Sequence, residues 1–245
     1  MDTTPSQQVT PVHGRWYDDA CGTAFALELV GERWSLLIVR ELMFGPRRFS
    51  ELRAGLPGIS AKVLTERLEG LDRANILRRR VLSGRERGTL YELTEWGYAA
   101  DEAIMALGRW AARSPDHDPR LPLSAASLML SFRTMYQASR APGPAFSACI
   151  VVGDEPFRLG ISRAGIGIVR GEPKEPAFVL NAPSAMPIAA LVYGKVPAAD
   201  LAGEGLSWSG DTALLDRFVS LFHLPPKMPC EQNASKAVAP SAPRV

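Results

Sequence analysis

Cysteine is scarce in this 245-residue chain, and the little there is does not cluster. Cys21, Cys149 and Cys230 share no Cys-x-x-Cys spacing, and His13, His117 and His223 stand far apart. A structural zinc site or a disulfide framework is therefore not expected, and no metal ligand or cofactor is assigned. Long apolar runs are missing too: no stretch approaches the ~18 apolar residues that a bilayer-spanning helix needs. The opening MDTTPSQQVTPVHG has neither a basic start nor an apolar centre, so it does not read as a signal peptide and the protein is expected in the cytoplasm. Neither sign of charge is in excess. With a formal net charge of +2, partners must be read from where charge sits.

Catalytic patterns are also lacking. The sequence contains no Gly-x-Ser-x-Gly elbow, no phosphate loop ending in Gly-Lys-Ser/Thr and no His-Glu-x-x-His. Gly165-x-Gly167-x-x-x-Gly171 comes near a dinucleotide fingerprint, but such a loop must open a helix, and Pro173 and Pro176 follow it instead. Asp154-Glu155 falls where a hairpin turn is expected. No catalytic residue is assigned, and an enzyme is not expected.

What is present is enough apolar material, 46% of residues, for an ordinary core, in a chain whose length favours two domains. Residues 47–94 carry the clearest pattern: a short apolar helix, a Gly-Ile-Ser break, a second helix, then two strand-like runs around an Arg-rich turn. Pro57-Gly58 ends the first helix, and Ser60 is placed to cap the second. Leu64, Leu68 and Leu71 form its buried stripe, leaving Lys62, Thr65, Glu66, Glu69 and Arg73 on the opposite side. That order reads as a winged helix-turn-helix, whose second helix enters a DNA major groove. Arg78, Arg79, Arg80, Arg85 and Arg87 stand against Glu86 alone, a local cationic cluster that favours phosphate contact at the wing. Arg48, Ser60, Lys62, Thr65, Arg67, Arg85 and Arg87 are the candidate DNA-binding residues. Arg67 lies near the buried stripe, where pairing with the protein body competes with that role.

These residues also resemble the HxlR-type winged-helix regulators. The resemblance rests on Asp19-Ala-Cys21-Gly22, Leu29-Val-Gly31-Glu-Arg33-Trp34-Ser-Leu36-Leu37, Arg48-Phe49-Ser50-Glu51-Leu52, Gly58-Ile59-Ser60-x-Lys62-x-Leu64-Thr65-x-Arg67-Leu68 and Tyr91-x-Leu93-Thr94-x-x-Gly97. It covers about residues 20–112. It implies a dimeric cytoplasmic transcription factor bound to double-stranded DNA at an inverted-repeat operator, with Cys21 as a candidate redox-sensing thiol. Gly22 stands where the family usually has proline, and Gly84-Arg-Glu-Arg-Gly88 replaces its usual proline-bearing wing tip, which points to a longer, more cationic wing.

Around this unit, residues 1–18 read as a polar arm and 19–113 as the DNA-binding and dimerisation domain, opening with helices over 24–30 and 34–44, where Trp34 reads as a core plug. A long helix is expected over 95–112, capped by Thr94, with Trp96, Ala100, Ala103, Ile104, Leu107, Trp110 and Ala111 as a wide apolar stripe. That stripe is suited either to burial against a second domain or to pairing with the same helix of a second subunit. The proline-rich stretch 114–123 marks a linker.

A second domain follows over 124–224: a helix over 124–140, strands over 146–152, 157–162, 165–170 and 177–181, a helix over 184–193, a strand over 206–209 and a final helix after Gly210-Asp211. Residues 225–245, rich in Pro, Ala and Ser, are expected to be disordered. The order of elements and the Gly-Asp turn resemble sterol-carrier-protein-type domains, so the fold class expected is α+β in two domains, the second an antiparallel sheet with helices. That resemblance implies an apolar tunnel for a lipophilic effector, lined by Leu128, Phe132, Met135, Phe146, Phe178, Met186, Leu191, Phe218 and Phe222. The same side chains would equally fill a closed core. The functional reading is a DNA-binding regulator tuned by such a ligand or by oxidation at Cys21. The alternative is a lipid or small-molecule carrier whose helical half serves only to oligomerise.

Overall fold

The computed structural model describes residues 17–83, 87–141 and 143–229. The N-terminal half runs α1 (Gly22–Val30), α2 (Ser35–Leu42), β1 (Arg47–Arg48), α3 (Phe49–Gly55), α4 (Ala61–Arg73), β2 (Leu77–Leu82), β3 (Gly88–Leu93), α5 (Glu95–Ala99) and α6 (Asp101–Ala111). The helix-turn-helix is α3 and α4. Ser60 caps α4 as expected, its Oγ accepting from the Val63 N–H at 3.2 Å. Leu64, Leu68 and Leu71 are buried, and the opposite side is exposed. The wing is three-stranded, not two-stranded, because β1 adds to the free edge of β3 and gives the antiparallel order β1-β3-β2.

The single helix expected over 95–112 is broken at Ala100. Thr94 caps α5 through its Oγ1, which accepts from the Gly97 N–H at 3.0 Å and donates to the Asn75 carbonyl at 2.7 Å. A Cβ at Gly97 would lie 2.0 Å from the Ile76 carbonyl oxygen, so α5 is pressed onto the start of β2. α6 restarts at Asp101 and packs along the next helix instead, and one straight helix does not satisfy both neighbours.

The C-terminal half opens with α7 (Ala125–Met135) and continues through β4 (Phe146–Val152), β5 (Glu155–Ser162), β6 (Gly165–Arg170), β7 (Phe178–Ala182), α8 (Ala185–Val192), β8 (Ser207–Gly210) and α9 (Thr212–Ser220). A single 3-10 turn occupies Ala138–Arg140, where α7 was expected to continue, and a longer 3-10 segment Ala198–Glu204. The five strands lie in the order β6-β5-β4-β7-β8. This sheet is mixed, not antiparallel throughout: β4, β5 and β6 form a meander, after which the chain crosses over and lays β7 parallel to β4. Gly210 has φ +104°, and a Cβ there would sit 2.4 Å from the Ala177 carbonyl oxygen, so glycine is required at this turn. Asp211 then caps α9, its Oδ1 accepting from the Leu214 N–H at 3.0 Å.

Between sheet and helices the phenylalanines touch. Ring centroids of Phe218 and Phe222 are 4.8 Å apart, those of Phe132 and Phe222 4.9 Å, and those of Phe178 and Phe218 5.6 Å. Of the side chains expected to line a tunnel, Leu128, Phe132, Phe178, Leu191, Phe218 and Phe222 are buried, while Met135, Phe146 and Met186 are half-buried. Phe146 lines an open trough across β4, β5 and β6. Rings in tilted and edge-to-face contact fill the space as a close-packed core does.

The proline-rich segment does not hold the halves apart. One hydrophobic cluster runs from Ile38 and Leu42 in α2 through Met129 and Phe132 in α7 to Phe222. Phe44 stands edge-on to Phe157 at 6.0 Å. Arg133 pairs with Asp101, Arg47 with Glu155 at 2.6 Å, and the Ser124 hydroxyl donates to Glu41 at 2.7 Å. The tail expected to be disordered from 225 is at first anchored. Lys227 Nζ donates to the carbonyls of Ala112 (3.1 Å), Ser114 (2.9 Å) and His117 (2.8 Å), a cation at the C-terminal end of α6. The Met228 N–H donates to the Arg113 carbonyl at 2.7 Å, and residues 230–245 lie outside the described part.

Candidate nucleic-acid interface

The start of α4 projects from the body. Lys62 has 88% of its side chain exposed and only a long ion pair, 3.9 Å, to Glu66. Such exposed pairs hold little energy and yield readily to a phosphate or a base. Thr65 is exposed one turn further on, its hydroxyl donating to the Ala61 carbonyl at 3.0 Å. Glu66 and Glu69 share that face and repel phosphate, which confines favourable contacts to the first turn. Ser60 is exposed but already engaged as the cap.

Arg67 does not belong to this face. Its Nη2 lies 2.9 Å from Glu32, and its Nε donates to the Arg33 carbonyl at 3.3 Å, so the guanidinium ties α4 to the turn before α2. The assignment of Arg67 as a DNA contact is corrected accordingly: at three residues past Leu64 the side chain lies beside the buried stripe. That same turn contains Trp34 at φ +81°, a left-handed conformation unusual for a bulky residue, with the Arg33 guanidinium 5.3 Å above its ring. Trp34 is half-buried against the core, so its plug role is partial.

The wing cluster is also less cationic than its composition. Arg78 pairs with Glu92 at 2.8 Å and Arg79 with Asp72 at 3.0 Å, acidic partners that lie 14 and 7 residues away and that only the fold brings near. Arg80 and Arg87 are exposed at the described base of the wing; Arg85 lies outside the described residues. Arg48 takes a role that sequence spacing does not reveal. Its Nη1 donates to the Arg87 carbonyl at 3.1 Å, strutting the wing from β1, and its backbone N–H donates to Glu51 at 2.7 Å, fixing the start of α3.

The HxlR-like helix-turn-helix family matches residues 29–118. The HTH-type transcriptional regulator YodB of Bacillus subtilis is 41% identical over 86 residues, which is 35% of this chain and 77% of YodB. The chain belongs to the HxlR-like family. Another relative, the uncharacterized HTH-type regulator Rv3095 of Mycobacterium tuberculosis, is 45% identical over 85 residues, and the match spans about half, 53%, of its length. The solved structure of the reduced form of YodB from B. subtilis matches 41% of this chain and all of its own chain at 36% identity, with a TM-score of 0.37. These relatives are HTH-type transcriptional regulators.

Two further features of this HxlR-like unit concern its partners and its chemistry. α1, α5 and α6 leave between them an apolar groove of about 360 Å³, lined by Leu27, Val30, Leu36, Trp96, Ile104 and Leu107 among others. Leu107 is half exposed and Trp110, beyond it on α6, is 75% exposed. Of the stripe expected on this segment, Ala100 and Ile104 pack inward, while Trp96, Ala103, Leu107, Trp110 and Ala111 face solvent. Cys21 occupies the cap position of α1 and is exposed. The backbone N–H groups of Thr23 and then Ala24 hold its thiol below the ordinary cysteine range. Burial, followed by the charge of Glu172, pushes the Cys149 thiol up. Among the described residues no cluster of His, Cys, Asp and Glu suits a metal ion, and no helix is long and apolar enough to cross a membrane.

Proposed function

We propose that this protein is a homodimeric, sequence-specific DNA-binding transcriptional regulator acting in the cytoplasm on an inverted-repeat operator. The observation that carries this reading is the exposed first turn of α4, with Lys62 and Thr65, together with the exposed cations Arg80 and Arg87 of the wing, in a chain of the HxlR-like family. Lys62 and Thr65 read base edges, and Arg87 meets phosphate. The apolar groove of α1 and α6 supports the dimer, because a patch crowned by Trp110 is unfavourable in water and a two-fold axis through it buries both copies. Two units then engage half-sites about one helical turn apart.

The C-terminal half is read as a sterol-carrier-protein-like domain, supported by its order of helix, meander, crossover strand, helix and Gly-Asp turn before α9. A lipophilic effector there has less support, since it would have to part rings already in contact. Modulation through Cys21 has more, in its exposure and favoured thiolate. The test is a salt-titrated operator-binding measurement on an inverted repeat from the adjacent intergenic DNA. Lys62→Ala and Thr65→Ala should each cost about 1–3 kcal/mol for the specific site and little for random DNA. Equal loss on both DNAs would remove the base-reading role, and no specific binding together with capture of a fluorescent fatty acid would favour a carrier.

A further inference from the structure

We propose that Arg33, in the turn between α1 and α2, is a further DNA-binding residue that grips a backbone phosphate beside the recognition helix, with the indole of Trp34 as its platform. This rests on the DNA-binding reading and adds to it a contact that belongs neither to α4 nor to the wing. The turn is held against α4 at two levels. Arg67 Nε, in the second turn of α4, donates to the Arg33 carbonyl at 3.3 Å. At the other level the indole reaches the break that precedes α4: a Cβ on Gly58, just ahead of the Ser60 cap, would lie 3.9 Å from Trp34 Cη2. The ring therefore lies along the flank of α4, between its cap and its second turn.

Trp34 reaches this place from a left-handed backbone, φ +81° and ψ −21°, which is costly for a bulky residue and persists only where surrounding contacts fix it. Arg33 is exposed, and its guanidinium carbon stands 5.3 Å from the centre of the indole. It makes no ion pair among the described residues, because the neighbouring carboxylate, that of Glu32, is taken by Arg67 at 2.9 Å. A guanidinium whose face rests on a ring keeps its edge N–H groups free, and that fork matches two oxygens of a phosphate. Held over a rigid surface, it also gives up less freedom on binding than a loose arginine does.

Position selects phosphate over base. When the first turn of α4 enters a major groove, its exposed face, with Lys62 and Thr65, meets base edges, and its flanks meet the sugar-phosphate walls. Arg33 stands on a flank. A contact there fixes how the helix is seated, carries no sequence information and releases a counterion from each half-site.

The test is fluorescence-anisotropy binding of the full chain to the operator and to random duplex across a salt series, with Arg33→Ala and Arg33→Lys. Arg33→Ala should weaken both DNAs about tenfold per half-site, the value of one charge-assisted hydrogen bond, and flatten the plot of log affinity against log salt by roughly one per half-site. Arg33→Lys should restore the slope but only part of the affinity, since an ammonium lacks the planar fork. Both variants should keep the urea midpoint of the unaltered chain, which a merely structural role of Arg33 over Trp34 would lower instead. In a set of operators each carrying one uncharged methylphosphonate, one position per half-site should be found at which Arg33→Ala causes no further loss. An unchanged slope, a loss confined to the operator, or the lack of any such position overturns the phosphate role of Arg33 and leaves the regulator reading standing. If the unaltered chain binds neither DNA, both fall together.

Discussion

The two halves of this molecule treat large apolar side chains in opposite ways. In the C-terminal half, Phe132, Phe178, Phe218 and Phe222 are sealed between helices and sheet, in contact with one another and with Tyr136, Phe146 and Tyr193. In the N-terminal half, Trp96, Leu107 and Trp110 stand in solvent along one side of α6 and its approach. Composition does not separate these cases. What separates them is whether the chain itself supplies a covering layer: α7 to α9 close one face of a five-stranded sheet, whereas α1 and α6 end in an open groove. A self-sufficient core and an unfinished one thus sit side by side, and the unfinished one belongs to the half that matches the HxlR-like family.

The contrast breaks most visibly if the sealed half is opened. Phe218→Ala should cost about 3–5 kcal/mol in urea unfolding, the usual price of deleting a buried ring, and by the same amount at every protein concentration. Trp110→Ala should change the isolated subunit by no more than about 0.5 kcal/mol. Its deficit should instead grow with protein concentration, as loss of a dimer contact requires. Pairing the two variants therefore distinguishes core from interface in a single kind of experiment.

Next in size is the groove itself. Leu107→Glu combined with Trp110→Asp should yield monomers in sedimentation equilibrium and weaken operator binding on the order of a hundredfold, as linked half-sites become separate ones. A double variant that stays dimeric would move the interface elsewhere. A smaller effect tests the roles of two arginines. Arg67→Ala should lower stability by up to about 1 kcal/mol through loss of its pair with Glu32 and leave the salt dependence of DNA binding unchanged. Arg87→Ala should do the reverse, reducing the slope of log affinity against log salt by roughly one.

The finest distinction lies between two thiols. A lowered pKa means that the Cys21 thiolate persists to lower pH, so alkylation by iodoacetamide should rise at a lower pH than for free cysteine. Cys149, buried and shifted the other way, should stay unmodified until the protein unfolds. Mass spectrometry of a Cys230→Ser background across pH resolves the pair. Equal rates at Cys21 and free cysteine would end the case for a primed sensor.

The helix-turn-helix was legible because its determinants are local: a cap at Ser60, a break at Pro57-Gly58 and a leucine stripe of helical period. The strands over 146–152 and 165–170 were legible for the same reason, bounded by turn residues and matching β4 and β6. What escaped depends on contacts between distant residues. The break at Ala100 comes from Gly97 meeting Ile76, the inward turn of Arg67 from Glu32, and the partial neutralisation of the wing from Asp72 and Glu92. The parallel placement of β7 follows from a crossover that no local period encodes. Whether a set of phenylalanines lines a void or fills it is likewise a matter of shape, and hydropathy carries no record of shape.

The salt bridges, ring contacts and shared apolar cluster that join α2, β1 and α6 to α7 and β5 predict one melting unit, not two beads on a string. A calorimeter should record a single heat-absorption peak. The DNA-binding half expressed alone, cut after residue 113, would expose the apolar flank of α2 and strand the half-buried Asp101 and the buried Glu41 without Arg133 and Ser124, inviting aggregation. Grafting a different C-terminal module onto this regulator would thus succeed only if the graft carried matching charges, so the seam constrains which rearrangements inheritance can accept.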